Sequence, residues 1–301
     1  MNQSAETPVS YLIDAPVYVF RAYFSLPDSI TDGDGHPVNA LYGFANFLAD
    51  LVAREQPSYV AVAFDESLSS SFRNQFYPAY KANRPPAPED LKAQFERCKA
   101  LCSLLGMPVQ VGADFEADDY IGTQAQIERK AGRRLCIVSR DKDLLQLLGD
   151  GDEYWDYAGD KRLGPAQVLQ EWGVRADQIV DYLALVGDKV DNIPGVKGVG
   201  DKAVRALLNH FDDLDAIYSN LDAVLDLPVR GAARLRQSLI DGEPEARISR
   251  RLATIALDAP VDGLLKAWTR PPASDELTQG LSQLGLGSTQ RERLLRAICQ
   301  T

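Results

Sequence analysis

Histidine is nearly absent from this 301-residue chain, with His36 and His210 the only two. A Ser-His-Asp hydrolase or a histidine-built metal centre has little to draw on. The four cysteines, Cys98, Cys102, Cys136 and Cys299, form no Cys-x-x-Cys pair and have too few other ligands near them in sequence for a zinc site. No apolar run approaches the ~20 residues that a membrane helix needs. The polar start MNQSAETPVS lacks the basic stretch and apolar core of a signal peptide, so a cytoplasmic protein with no membrane partner is expected. Cations are also short: 32 Lys and Arg stand against 43 Asp and Glu, a net charge of −11. That sign is the opposite of a usual nucleic-acid binder. A hydrophobic share of 45% with 25% charged residues excludes wholesale disorder. The length suits one large or two modest domains.

What is present has a clear order. The first 160 residues alternate short apolar runs with amphipathic helical patterns, as in a parallel sheet with crossover helices. Strands are expected at 9–13, 59–64 and 135–139, with weaker candidates at 108–111 and 153–157. Leu41, Phe44, Leu48, Leu51 and Val52 share one helical face. Leu91, Phe95, Cys98, Cys102 and Leu105 share another, which makes two of the cysteines small core residues. After residue 160 the strand pattern stops. Helices are expected over 164–172, 176–187, 201–211, 229–241 and 244–256, with one more near 286–299. The expected organisation is an α/β domain over 1–187, a helical region over 188–258 and a helical tail over 259–301.

Three of the strands end in, or just before, an aspartate: Asp14, Asp65 and Asp141. In open parallel sheets, sites form beyond the carboxyl ends of the strands. Any one of these residues, taken alone, reads better as a loop opener or helix cap. The other acids change the weighing. Glu116, Asp118 and Asp119 open a helix, Asp141 and Asp143 are two apart, and Asp188 and Asp191 are three apart. Nine carboxylates gathered without cations would repel strongly. Hard divalent ions with oxygen ligands, Mg²⁺ in particular, answer that problem, and a pair of them suits phosphodiester chemistry.

Residues 67–88 hold no acid in this acidic chain. They carry Arg73, Lys81 and Arg84 interleaved with Phe72, Phe76, Tyr77 and Tyr80. Cations for phosphates and aromatic faces for bases are the elements of a single-strand site; a solvated surface loop is the alternative. Residues 193–205 are glycine-rich. Gly198-Val199-Gly200-Asp201-Lys202-Ala203 matches a dinucleotide fingerprint formally, but a helix rather than a strand precedes it, so no nucleotide cofactor is expected. Helix, glycine turn, helix is instead a hairpin able to hold a backbone phosphate, with Lys197, Lys202 and Arg205 nearby.

Taken together, LIDAPVYVFRAY, AFDES, FRNQFYPAYKANRPP, FEADDYIGT, VSRDKDLLQLL and GDKVDNIPGVKGVGDKA resemble the bacterial 5′-nuclease family: the 5′–3′ exonuclease domain of DNA polymerase I and its free-standing flap endonuclease relatives. The resemblance runs from about residue 11 to about 258. It implies a PIN-like fold, a mostly parallel sheet flanked by helices, with a helical arch near 67–92 and a helix–hairpin–helix region. It implies two-metal hydrolysis of DNA 5′ ends and flaps in replication and repair, in a bacterial, nucleoid-associated protein. Mn²⁺ is implied as a substitute for Mg²⁺, and no protein partner is required. Asp14, Asp65, Glu116, Asp118 and Asp119 match the carboxylates of the tighter metal; Asp141, Asp143, Asp188 and Asp191 match the rest. Lys81 and Arg84 match catalytic arch residues at the scissile phosphate. Arg21, Arg73, Tyr80, Gly195, Lys197, Gly198, Gly200 and Lys202 match DNA contacts, and the main chain of Val196 and Val199 a potassium site. Two departures stand out: Ala15-Pro16 where the family usually has glycine, and Arg140 where it often has a small residue. A binding module for branched DNA with little cleavage, or a 5′ ribonuclease of the same fold, are the alternatives. The segment after 257 is too short for a polymerase domain, so a stand-alone nuclease is expected.

Overall fold

The computed structural model describes residues 7–66 and 71–299. Among the described residues, six strands form one sheet: β1 (Val9–Asp14), β2 (Tyr59–Ala63), β3 (Val109–Gln110), β4 (Arg134–Val138), β5 (Glu153–Asp156) and β6 (Lys161–Leu163). Their order is β3-β2-β1-β4-β5-β6; the first five run parallel and β6 is antiparallel to β5. The strand pattern therefore continues past residue 160. Three residues are too few to show a period of two, which is why β6 is silent in the sequence.

The central strands are buried on both faces, as crossover helices require. Leu12, Ala61, Leu135 and Ile137 face one side, and Tyr11, Ile13, Val60, Val62 and Val138 the other. On the second face lie α1 (Ala15–Ser25), α2 (Asn39–Glu55) and, beyond the short α3 (Arg73–Phe76), α4 (Glu89–Leu104). The residues expected to share faces on α2 and α4 are all buried, Cys98 and Cys102 among them. On the first face lies α5 (Ala117–Lys130), followed by the helical region: α6 (Pro165–Trp172), α7 (Ile179–Val186), α8 (Asp201–His210), α9 (Leu214–Ser219), α10 (Ala232–Asp241) and α11 (Glu243–Ala253). Each wholly buried Leu or Phe in these layers contributes roughly 1.5–3 kcal/mol.

The chain then returns to the first helical layer. Trp268 donates its amide to Ser58 and its indole N–H to Leu105. Helices α12 (Asp275–Gln283) and α13 (Ser288–Ile298) complete that layer, and Gln290 of α13 bonds to Tyr42 and Asn46 of α2. Residues 268–299 thus share a core with the α/β layer. The arch region is helical only at α3 and from Glu89 onward; turns join them, and residues 67–70 lie outside the described residues.

The loop between α7 and α8 is closed by two glycines. Gly187 and Gly195 have φ of +79° and +62°, and a β-carbon on Gly195 would sit 2.5 Å from the Gly187 nitrogen. Asp188 and Ile193 exchange backbone hydrogen bonds at 2.9 and 2.7 Å across it. Gly195→Ala combines a left-handed φ with a backbone clash, so it should destabilise the protein by about 1–3 kcal/mol, read by thermal unfolding. An unchanged Tm would show that the two glycines do not set this loop.

Candidate metal and nucleic-acid site

β1, β2 and β4 deliver their aspartates to one edge of the sheet. Asp14 ends β1 and precedes α1, Asp65 follows β2 by two residues, and Asp141 caps a 3₁₀ turn over Lys142–Leu147 after β4. Glu116 caps α5, placing Asp118 and Asp119 in its first turn. The Gly187–Gly195 loop brings Asp188 and Asp191 from the helical side. Local hydrogen bonds fix several of these side chains: Ser139 Oγ donates to Asp14 at 2.5 Å, the Ala117 amide to Asp65 at 2.7 Å and the Asp143 amide to Asp141 at 3.0 Å.

Their electrostatics are those of a site short of cations. Burial, reinforced by the Asp141 and Asp65 charges against the Ser139 hydrogen bond, pushes Asp14 up to about 8. Burial raises Asp65 to about 6, with Glu116 adding and Lys81 opposing. Burial and neighbouring carboxylates push Asp118 and Asp143 well above the carboxylate range, and Asp141 upward. Asp143 Oδ1 is buried with no hydrogen-bond partner among the described residues. Oxygen ligands without soft donors, an orphaned carboxylate oxygen and carboxyls pushed upward by burial and by one another's charge fit hard divalent cations.

Among the described residues, four side-chain cations reach into this cluster. Lys81 pairs with Glu116 and lies 4.0 Å from Asp191; Arg84 bonds Asp191 at 2.5 Å. Lys142 pairs with Asp188 and lies 3.7 Å from Asp143. Burial pushes Asp188 up, but Lys142 and the amides of Val190 and Asp191 outweigh it and hold the carboxyl below its ordinary range. Arg73 is the fourth and the most enclosed.

Arg73 and Asp119 depart from the sequence expectation. Arg73 is 2% exposed, so it is not open to a DNA phosphate. Its guanidinium donates twice to Asp119 at 2.8 Å, to Glu116 at 3.1 Å and to the carbonyls of Leu252 and Thr254 at 2.9 Å. Asp119 has no exposed surface. Its oxygens accept from Arg73 and from the amides of Glu116 and Ala256, which makes it a structural anion that fixes the arginine. Tyr80 is likewise 4% exposed, with its hydroxyl on Glu116, and is no stacking platform for a base.

Arg21 is exposed on α1, beside a cavity it shares with Tyr18 and Arg54. In the α7–α8 hairpin, Lys197, Gly198, Gly200 and Lys202 are exposed, whereas Gly195, Val196 and Val199 are buried. The Val196 carbonyl accepts from the Val199 amide. Arg205 is turned to Asp201 at 2.7 Å. Arg140 pairs with Asp156, and Ala15 is buried ahead of Pro16 in the first turn of α1, so neither departure occupies the cluster. Sequence reasoning passed over Ser139, Lys142, Asn83 and Asn192. Only Lys142 carried a signal, as the cation inside Asp141-Lys142-Asp143. It also passed over Asp32, Asp34 and His36, whose ligand atoms lie within 4.8 Å of one another on the loop after α1; Asp32 is tied there to Arg97 at 3.0 Å.

Comparisons with known proteins show the family and the fold. A family model for the 5′-3′ exonuclease N-terminal resolvase-like domain matches residues 9–173, and one for the 5′-3′ exonuclease C-terminal SAM fold matches 174–276. A 5′-3′ exonuclease of Aquifex aeolicus is 38% identical over 210 residues, covering 70% of this chain and 72% of that protein. DNA polymerase I of Caldicellulosiruptor bescii is 35% identical over 279 residues, covering 89% of this chain and 32% of the polymerase. The chain thus spans about a third of the polymerase relatives it matches. Among solved structures, T5 5′-exonuclease with bound divalent metal ions (zinc) aligns with a TM-score of 0.66 at 18% identity, covering 96% of this chain and 97% of that one. The catalytic core of Rad2 in complex with DNA substrate aligns at 0.60 and 16%, covering 97% and 93%. These two likenesses establish the fold.

The raised carboxyls make a pH prediction. Asp14 keeps a proton up to about 8 when folded, whereas an ordinary carboxyl near 3.8 has lost it. The folded state therefore binds more protons between these values, and stability falls as pH rises through that window. Asp65 adds to the fall up to about 6. Asp188, held low, works in the opposite sense only at more acid pH. The Tm of metal-free protein should drop from pH 5 to pH 8, and saturating Mg²⁺ should raise it more at pH 8 than at pH 5. A flat metal-free profile would contradict the clustering.

Proposed function

The chain belongs to the 5′-3′ exonuclease family, and on that premise we propose that it is a structure-specific 5′ nuclease using two Mg²⁺ ions. Its substrates are phosphodiester bonds at DNA 5′ ends and 5′ flaps, in replication and repair within the bacterial cytoplasm. The observation that supports this most is the meeting of carboxylates from five chain segments at one strand edge, with positive charge held beside them.

Asp14, Asp65, Glu116 and Asp118 would hold one ion, and Asp141, Asp143, Asp188 and Asp191 the other. Bound there, such ions polarise the phosphate and activate a water for attack. The remaining work falls to the chain. Arg73 and Asp119 fix Glu116 at the start of α5. Ser139 orients Asp14. Lys81 and Arg84 supply positive charge at the scissile phosphate once turned from Glu116 and Asp191. The hairpin residues Lys197, Gly198, Gly200 and Lys202 hold duplex phosphates without reading bases, and Arg21 adds a contact on α1. The carbonyls of Val196 and Val199 are the proposed potassium ligands. Solved T5 D15 flap endonuclease and Rad2 complexes contain DNA, which supports DNA as the partner. No helix among the described residues is long and apolar enough to cross a membrane.

The test is cleavage of a doubly labelled 5′-flap DNA. It should require Mg²⁺ or Mn²⁺ and leave a 5′-phosphate on the product. Asp118→Asn should lower kcat by roughly 10²–10³-fold, since metal-ion stabilisation of this kind is worth several kcal/mol, while flap binding persists. Undiminished cleavage in EDTA would refute the metal reading, and a flap RNA cut in preference would move the substrate to RNA.

Lys202→Ala tests the hairpin. It should weaken binding to all duplex sequences alike and flatten the log K against log salt line by about 0.9, the loss of one phosphate contact. An unchanged slope would remove the hairpin from the interface.

A further inference from the structure

The turn that carries Lys81 and Arg84 is closed onto the carboxylates by contacts from both sides of the cleft. On the α5 side, Lys81 pairs with Glu116, and Tyr80 donates its hydroxyl to the same carboxylate at 3.0 Å. On the hairpin side, Arg84 bonds Asp191 at 2.5 Å and the Lys81 amide donates to the Asp191 carbonyl at 3.0 Å. Two asparagines complete the closure: Asn83 donates to the Lys189 carbonyl at 2.8 Å, and Asn192 to the Ala79 carbonyl at 2.6 Å. Closure holds two non-glycine residues in the left-handed region, Lys81 at φ +54° and Asn192 at +58°. Asparagine adopts this region readily, but at Lys81 the conformation is maintained by contacts across the cleft rather than by local backbone preference.

We propose that residues 79–84 form a latch that is exclusive of metal loading: the oxygens of Glu116 and Asp191 either hold Lys81 and Arg84 or serve as metal ligands. The inference rests on the two-metal reading above. Its basis is the identity of the acceptors. Both carboxylates that hold the latch cations belong to the set proposed to hold the ions, one to each half of it. A carboxylate oxygen already paired with an ammonium or guanidinium group at hydrogen-bond distance is a poor ligand until that cation leaves. Lys142 on Asp188 repeats the arrangement at a third carboxylate. Metal ions would therefore release the turn, freeing Lys81 and Arg84 for a phosphate, and removal of metal would close it again. The latch reduces apparent metal affinity by the fraction of molecules in which it is closed.

Two measurements on the full chain without DNA test this. Hydrogen exchange reads the Lys81 amide, whose acceptor lies across the cleft. Its exchange should speed up by at least about tenfold at saturating Mn²⁺, while amides of β1 and β4 stay protected. Calorimetric Mn²⁺ titration of Asn83→Ala then separates the latch from simple charge repulsion, because Asn83 is neutral and touches no carboxylate. Apparent affinity should rise by about two- to fivefold as the closed fraction falls. Exchange of the Lys81 amide unaltered by Mn²⁺ that calorimetry shows to be bound would overturn the latch and leave the metal reading intact. Wild-type Mn²⁺ affinity in Asn83→Ala would overturn it as well. No Mn²⁺ binding at all would overturn both.

Discussion

Carboxylates packed at one edge of a sheet cannot all be ionised and shielded from water unless cations stand between them. That constraint organises this protein. Asp14, Asp65, Asp118, Asp141 and Asp143 are pushed toward their protonated forms by burial and by one another. Strand ends, the first turn of α5 and the glycine-closed loop after α7 converge there. A fold that serves only its own stability would more easily bury apolar groups at such a place.

Two kinds of cation meet the demand. Arg73 is built in: all of its donor directions are used, it is shut from solvent, and Asp119 is dedicated to it. The pair joins the start of α3, the first turn of α5 and the C-terminal end of α11, where the carbonyls of Leu252 and Thr254 accept from the guanidinium. Lys81, Arg84 and Lys142 are partly exposed and each leans on a carboxylate at the cleft. Such pairs can be exchanged for other cations at modest cost, whereas breaking the Arg73–Asp119 pair would leave a buried charge uncompensated. The same division settles the paradox of net charge. On the proposed function, a chain at −11 would hold a polyanion through local cations, Lys81 and Arg84 at the cleft and Lys197 and Lys202 on the hairpin, while the cleft carboxylates face metal ions.

Much of this was legible in residue order. The apolar runs that end in Asp14, Asp65 and Asp141 announce parallel strands, and the helical faces of Leu41–Val52 and Leu91–Leu105 announce the layer that covers them. The clustered acids marked the segments that converge at the strand ends, and the glycine turn marked the connection between α7 and α8. What residue order could not show was depth. Arg73, Tyr80 and Asp119 look like their neighbours Lys81, Arg84 and Asp118, yet contacts with segments more than 100 residues away enclose Arg73 and Asp119. Ser139 and Lys142 matter through partners remote in sequence, Asp14 and Asp188, 125 and 46 residues away. β6 is too short to carry a period, and α12 and α13 find their place only because α2 and α4 leave a face for them.

The most direct measurement is anomalous diffraction from crystals soaked in Mn²⁺. The account predicts two peaks, one bounded by Asp14, Asp65, Glu116 and Asp118 and one by Asp141, Asp143, Asp188 and Asp191, with Arg73 still seated on Asp119. Density confined to Asp32, Asp34 and His36, or a peak in direct contact with Asp119, would contradict it.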